Sequence, residues 1–202
     1  MKTIAVVCQK GGVGKTTTVI NLASVLSRKG LKTLIIDTDP QGNISTYLNQ
    51  NKTSELITST TQILEGETDI EPINVFENLY LIPSDVDIKK HNSEKIVGGS
   101  KLRKIRENEV IKTFDIVFID TPPTMSSLVQ EALSTSDYYF IPSKPEFLAV
   151  EGVGQAMTFA KQTISEVPRT DPHFLGVVLN QVDTRRASYG DFVAELKQIL
   201  SD

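Results

Sequence analysis

A doubly wound α/β domain, its sheet mainly parallel and its helices on both faces, is the fold this sequence predicts. Three observations predict it. Short β-branched runs recur along the chain with helical patterns between them, the runs are near-continuously apolar, and a glycine-rich loop leaves the first run and opens the first helix. Strands buried on both faces read as continuous apolar runs, and a strand, helix, strand succession imposes right-handed crossovers on a parallel sheet. At 202 residues with 39% hydrophobic residues, the chain fits one such domain, 1–202, whose core needs neither staples nor metals.

The first strand is "TIAVVC" at 3–8, followed by the loop at 9–16. "TVINLASVLSRKG" follows as a helix whose Ile20, Leu22, Ala23, Val25 and Leu26 are expected on one side, with Gly30 as its stop. Further strands are expected at 33–37, 79–83, 115–120, 138–142 and 174–180. Between 84 and 113, "HNSEKIVGGS" reads as a loop and "KLRKIRENEVIK" as a polar helix with Leu102, Ile105 and Ile111 facing inward. Its Lys101, Arg103, Lys104 and Arg106 are either a solvated face or phosphate contacts. The last helix, "YGDFVAELKQIL", has an apolar face of Phe192, Val193, Leu196, Ile199 and Leu200. Its polar face holds Asp191, Glu195 and one lysine, Lys197, the wrong charge for anionic lipid, so the apolar face is read as core.

Composition narrows the function classes. A formal charge of −4 argues against a chain coated with nucleic acid over its whole surface and confines any such contact to a patch. Cys8 is the only cysteine, which excludes an internal disulfide or a cysteine-ligated metal cluster and suits a reducing cytoplasm. The N-terminal apolar run breaks at "QKGG" before a signal core forms, and no run approaches the ~20 residues of a membrane span.

The chemistry concentrates at three strand ends. "CQKGGVGKTTT" partly matches G-x-x-x-x-G-K-[ST]: Gly14, Lys15 and Thr16 fit, while Gln9 occupies the first glycine position and a second lysine, Lys10, has no place in the template. Gly11, Gly12 and Gly14 let backbone N–H groups and a helix terminus surround phosphates. Lys15 would reach the β- and γ-phosphates and Thr16 would place its hydroxyl on Mg²⁺, with Val13 and Thr17 completing the nucleotide loop. "DTDPQGN" ends the second strand with Asp37 and Asp39, of which at least one is expected to face the phosphates through a metal or an attacking water. Asp120, heading "DTPP", is read as fixing the magnesium shell, with Thr124 as cap of the helix beginning near Met125.

"KGGVGKTTT", "DTDPQGN", "DTPP" and "AVEG" (149–152), in this order and spacing, resemble the ParA family of DNA-partition ATPases over essentially the whole chain. The loop has the deviant Walker A form of the wider ParA/MinD group, and "PQGN" and "KPEFLAVEGV" are more similar to partition proteins than to MinD. The resemblance implies an ATPase using ATP and Mg²⁺, forming an ATP sandwich dimer in which Lys10 touches the partner's nucleotide. It further implies non-specific DNA binding and stimulation of hydrolysis by a ParB-like centromere-binding partner. Asp39 then matches the residue that positions the hydrolytic water, besides its place near the metal. Asn180 matches the residue that contacts adenine, although as a plain residue it equally suits a turn. Arg185 follows Asp183-Thr184 where similar proteins carry a DNA-contacting arginine, with Arg186 beside it. The location implied is cytoplasmic, on the nucleoid when ATP is bound, without stable membrane insertion. Family members usually continue past the last helix with a further strand, an adenine-covering loop and much of the basic surface, so the resemblance implies a C-terminus short of that segment. A MinD-like membrane-cycling positioning ATPase is the alternative reading, and a phosphoryl- or amide-transfer enzyme on the same scaffold a third.

Overall fold

The computed structural model describes residues 1–48, 58–93, 96, 100–146, 149–168, 170–185 and 188–201. Its strands are β1 (Lys2–Val6), β2 (Thr33–Asp37), β3 (Ile73–Phe76), β4 (Leu79–Ile82), β5 (Ile116–Asp120), β6 (Tyr138–Ser143) and β7 (His173–Leu179). They form one seven-stranded sheet in the order β3-β4-β2-β5-β1-β6-β7, parallel except where β3 meets β4. The helices are α1 (Lys15–Arg28), α2 (Asn43–Leu48), α3 (Thr60–Glu65), α4 (Glu109–Lys112), α5 (Ser127–Thr135), α6 (Ala149–Glu166) and α7 (Ser188–Ser201).

Continuous apolar strands feed two cores, because successive side chains point to opposite faces. On one face Leu34, Ile36, Val117 and Ile119 pack with Ala132 of α5, Ala156 of α6, and Phe192 and Leu196 of α7. On the other, Val6, Ile35 and Phe118 pack with Val19 and Ala23 of α1 and Ile44 of α2. Each buried Val, Leu, Ile or Phe among them contributes roughly 1.5–3 kcal/mol by leaving water. Of the expected apolar face of α7, Phe192 and Leu196 are buried and Val193 and Ile199 pack against the core, whereas Leu200, in the last turn, stays exposed; no helix among the described residues is long and apolar enough to cross a membrane.

Four local expectations change. The hairpin β3–β4 was not expected: β3 lies at the sheet edge with alternating burial, so it lacks the continuous apolar run, and Asn78 makes the turn at φ 57°. In α1 the buried residues are Lys15, Val19, Ala23 and Ser27, while Leu22 and Val25 are exposed. At about 100° per residue, Leu22 and Val25 lie far round the helix from Ala23, whereas Ile20 and Leu26 flank it. The expected helix at 101–112 divides into a 3₁₀ turn, Leu102–Glu107, and α4. Asn108 divides it: its backbone is extended and its side chain accepts the N–H groups of Val110 and Ile111. Leu102, Ile105 and Ile111 are nonetheless buried. Finally, α5 starts at Ser127, two residues later than expected, with an extended Ser126 and not Thr124 before it. Within the expected loop at 91–100, a second 3₁₀ helix, Val86–Ser93, reaches Ser93, and residues 94, 95 and 97–99 lie outside the described residues.

Candidate nucleotide site

Parallel strands bring their carboxyl ends to one edge, and register sets what meets there. Asp120 stands beside Val6 of β1 and beside Asp37 of β2. The loop after β1 therefore opens over both aspartates.

The loop's shape depends on glycine. Gly12 and Gly14 have φ of 76° and 90°, and a Cβ added at Gly14 would lie 2.1 Å from Asn180 Nδ2. That close approach exists because Asn180 Nδ2 donates to the Val13 carbonyl at 3.0 Å, while Asn180 N donates to the Ser143 carbonyl at 2.8 Å. Asn180 thereby ties the loop to the ends of β6 and β7, and its Oδ1 accepts the N–H of Gln181, which turns at φ 53°. Val13 is buried, Gly11 and Gly12 are exposed, and Thr17 presents its side chain outward. The first turn of α1 contains no acidic residue, so its N-terminal field is left for an anion.

Beneath the loop the three acids take different roles. Asp37 is fully buried and satisfied: Oδ1 accepts the Asp39 N–H at 3.0 Å, and Oδ2 accepts the Ser45 hydroxyl at 2.9 Å and the Ser45 N–H at 3.2 Å. It braces the turn 38–45. Asp39 is buried and accepts the Gln41 N–H at 2.9 Å. Asp120 accepts the Thr16 hydroxyl at 2.8 Å on Oδ2, whereas its buried Oδ1 has no hydrogen-bond partner. Burial pushes Asp120 up to about 7, helped by the neighbouring charge of Asp37 and opposed by Thr16 and by the buried Lys15. Burial likewise raises Asp37 to about 6, against the bonds from Asp39 and Ser45. Crowded carboxylates with one unpartnered oxygen are a site in want of a cation.

The residues fit magnesium in that respect. Among the described residues no three His, Cys, Asp or Glu side chains gather into a protein cage. Mg²⁺ characteristically takes one or two protein oxygens and fills the rest with water and phosphate, which the Thr16 hydroxyl and the Asp120 carboxylate provide for.

Lys10 stands apart from this group. Its ammonium pairs with Glu146 Oε2 at 3.1 Å, and Glu146 also pairs with Lys144. The two lysines hold the Glu146 carboxyl below its usual range, Lys144 contributing most. Glu146 and Ser45 are the site-shaping residues that the motifs missed. Glu146 sits inside the quoted "KPEFLAVEGV", and Ser45 follows "DPQGN" by two positions, but neither spacing announces its partner. Arg185 lies past β7, 88% exposed, and closes on Asp183 through Nε at 2.8 Å and Nη2 at 3.0 Å. Arg186 lies outside the described residues.

Comparison with known proteins agrees with this geometry. The family model of the AAA domain matches residues 1–171. The chain is 36% identical to the chromosome partitioning protein ParA of Caulobacter vibrioides, over 96% of this chain and 74% of that one. It is 32% identical to the chromosome-partitioning ATPase Soj of Treponema pallidum, over 100% of this chain and 79% of that one. Among solved structures, a plasmid partition protein from Borrelia burgdorferi bound to AMPPNP superposes with a TM-score of 0.70 at 27% identity, over 99% of this chain and 98% of that one. A doubly wound sheet with two lysines in its nucleotide loop and this breadth of likeness leave one assignment: the chain belongs to the ParA/Soj family of chromosome-partitioning ATPases.

Proposed function

We propose that residues 1–202 act as one P-loop ATPase domain that works as a partition switch, converting ATP and water to ADP and phosphate. The observation that carries this reading is the Thr16–Asp120 hydrogen bond beside an unpartnered Asp120 oxygen and a buried Lys15, where the glycine-rich loop opens α1. Lys15 binds the β- and γ-phosphates, and the N–H groups of residues 11–16 cradle them. Thr16 would hold Mg²⁺, with Asp120 orienting its shell; when bound, the ion neutralises charge that builds up on the phosphate oxygens. Asp39 orients the attacking water and accepts its proton. Asn180, which touches the loop at Val13, is the candidate for closing the adenine side.

The two lysines divide the labour. Lys15 is buried on its own subunit's loop, whereas Lys10 is exposed and, among the described residues, pairs with Glu146 at the surface, so it is available to a second subunit's phosphates. In a closed interface that attraction exceeds its value in bulk water, so ATP itself joins the dimer. The ATP-bound dimer binds DNA without sequence preference through Arg185 and Arg186, resides on the nucleoid, and is released to the cytoplasm when a ParB-like partner stimulates hydrolysis. Sedimentation with ATP on DNA and, separately, on anionic vesicles tests the reading: retention on DNA alone is expected. Retention on vesicles alone replaces it with the membrane-cycling alternative.

A further inference from the structure

Ser45, in the first turn of α2, stands where three elements meet. Its hydroxyl donates to Asp37 Oδ2 at 2.9 Å, at the carboxyl end of β2, and accepts the N–H of Ser84 at 2.9 Å, just past β4. Its own N–H donates to the same Asp37 oxygen at 3.2 Å. The other oxygen, Asp37 Oδ1, accepts the N–H of Asp39 at 3.0 Å, and the Asp39 carbonyl accepts the N–H of Gly42 at 2.8 Å. A second tie comes from α3: Thr60 Oγ1 donates to the Asp37 carbonyl at 2.7 Å and the Thr60 N–H to the Pro83 carbonyl at 2.9 Å. Gly42 turns at φ 58°, and a Cβ added there would stand 3.8 Å from the Ser84 carbonyl oxygen, so the loops after β2 and β4 lie against each other.

We propose that Ser45 is a positioning residue for ATP hydrolysis: it fastens Asp37 to the loop after β4 and so fixes the turn on which Asp39 meets the attacking water. The inference rests on the reading of Asp39 as the group that orients that water, and Ser45 acts on it through Asp37. A hydroxyl both donates and accepts, and this position uses both functions, one for a carboxylate and one for a backbone N–H. Alanine supplies neither, so Asp37 Oδ2 and the Ser84 N–H each lose a bond while the Ser45 N–H keeps part of the hold. Hydrolysis is the step that feels this loss, because a misplacement of about 1 Å can cost a reaction about 10²-fold. Phosphate binding is spared, since the junction is built from β2, α2, α3 and the loop after β4 and takes nothing from the glycine-rich loop or Lys15.

The test measures kcat and, by calorimetry, ATP affinity for the whole chain well below its melting temperature, with Ser45→Ala and Asp39→Ala made singly and together. Ser45→Ala is expected to lower kcat about tenfold and to leave ATP affinity within about twofold of the unsubstituted chain. Ser45→Thr, which restores the hydroxyl, is expected to recover most of the rate. In the Asp39→Ala background Ser45→Ala should slow hydrolysis no further, since residues that act as a unit are not additive. Unchanged kcat in Ser45→Ala overturns the proposal. A loss that multiplies in full with that of Asp39→Ala overturns it too, because Ser45 then acts by a separate route, as does a fall in ATP affinity as large as the fall in kcat, the mark of a general loosening of the site. Should Ser45→Ala fail to fold, Ser45→Cys, close in size and a weaker hydrogen-bonding group, carries the same comparison: a smaller loss of kcat is expected, and an unchanged kcat overturns the proposal. Full-rate hydrolysis by Asp39→Ala removes the general-base reading and this inference with it. Slow hydrolysis by Asp39→Ala beside full-rate Ser45→Ala leaves the base in place and removes Ser45 alone.

Discussion

The two ends of the sheet treat aspartate in opposite ways. At the amino ends, Asp137 accepts the N–H of Thr3 and Asp115 accepts the N–H of Lys32, each at 2.8 Å. At the carboxyl ends, Asp37 needs Ser45 and a bend of its own loop for its bonds, and Asp120 keeps one oxygen without a partner. At the amino end each acid takes the N–H at the start of a neighbouring strand, whereas at the carboxyl end the donors come only from the segments that follow and from Thr16, and they leave one Asp120 oxygen unmet. The first is structural by default, and the second awaits a cation or a proton. That asymmetry locates the site more sharply than the size of any cavity.

Removing the cations of the carboxyl end should break the contrast most severely. Lys15→Ala leaves phosphate charge facing backbone dipoles alone, and ATP affinity measured by calorimetry should fall by about 10- to 100-fold, the worth of a charged hydrogen bond. Undiminished affinity would detach the loop from nucleotide binding. Asp39→Ala should retain ATP yet hydrolyse it ~10²-fold more slowly in a phosphate-release assay, the scale of a positioned general base. Full-rate hydrolysis would take Asp39 out of the mechanism.

Lys10 sharpens the comparison, because its charge sits at the same edge but outside the buried group. In an Asp39→Ala background, which is expected to keep ATP and with it the proposed dimer, Lys10→Ala should bind ATP and remain monomeric by analytical ultracentrifugation. A dimer as tight as that of Asp39→Ala alone would end the cross-subunit role. Glu146→Gln should act in the opposite direction and more weakly. Freeing Lys10 from an exposed ion pair is worth at most about 1 kcal/mol per subunit, so with one pair on each subunit the ATP-dependent dimer should tighten no more than about thirtyfold. A weaker dimer would assign Glu146 to the interface itself.

The amino end should respond least, and to pH. Burial opposes ionisation of Asp137, but the bonds from Arg106 and Thr3 outweigh it and hold the folded-state carboxyl below its ordinary value. A depressed folded pKa contributes stability that is present above the unfolded value of about 3.9 and is lost as pH falls through the folded one. Asp137→Asn should therefore lower the melting temperature slightly at pH 7, and the difference should vanish in strong acid. A difference that persists undiminished at pH 2 would show that the side chain acts through shape and not through charge.

Much of this was legible in the residues. Near-continuous apolar runs at 33–37 and 115–120 fixed two central strands, because burial on both faces leaves no polar alternation. The run "DIVFID" likewise placed Asp120 at a strand tip, and register did the rest. What stayed hidden was partnership. Nothing in "DTDP" distinguishes Asp37, which braces Ser45, from Asp39, which does not, since both stand on one extended segment. Glu146 is 136 residues from Lys10, and the capping of α5 by Arg103 and Arg106 spans about thirty residues that no periodicity connects. Even within α1 the pattern chose a face that the packing shifted, because a run rich in apolar residues offers more than one stripe.

By itself, then, the sequence determined the doubly wound architecture, the phosphate loop and the strand-tip acids, all of which follow from local rules: strand periodicity, positive φ at Gly12 and Gly14, and a helix that begins where a loop ends. Only the tertiary structure decided which acid is satisfied, which oxygen lacks a partner and which lysine pairs with Glu146. Hydrogen bonds and ion pairs act over about 3 Å, and groups far apart along the chain come within that reach only once the sheet has set its register.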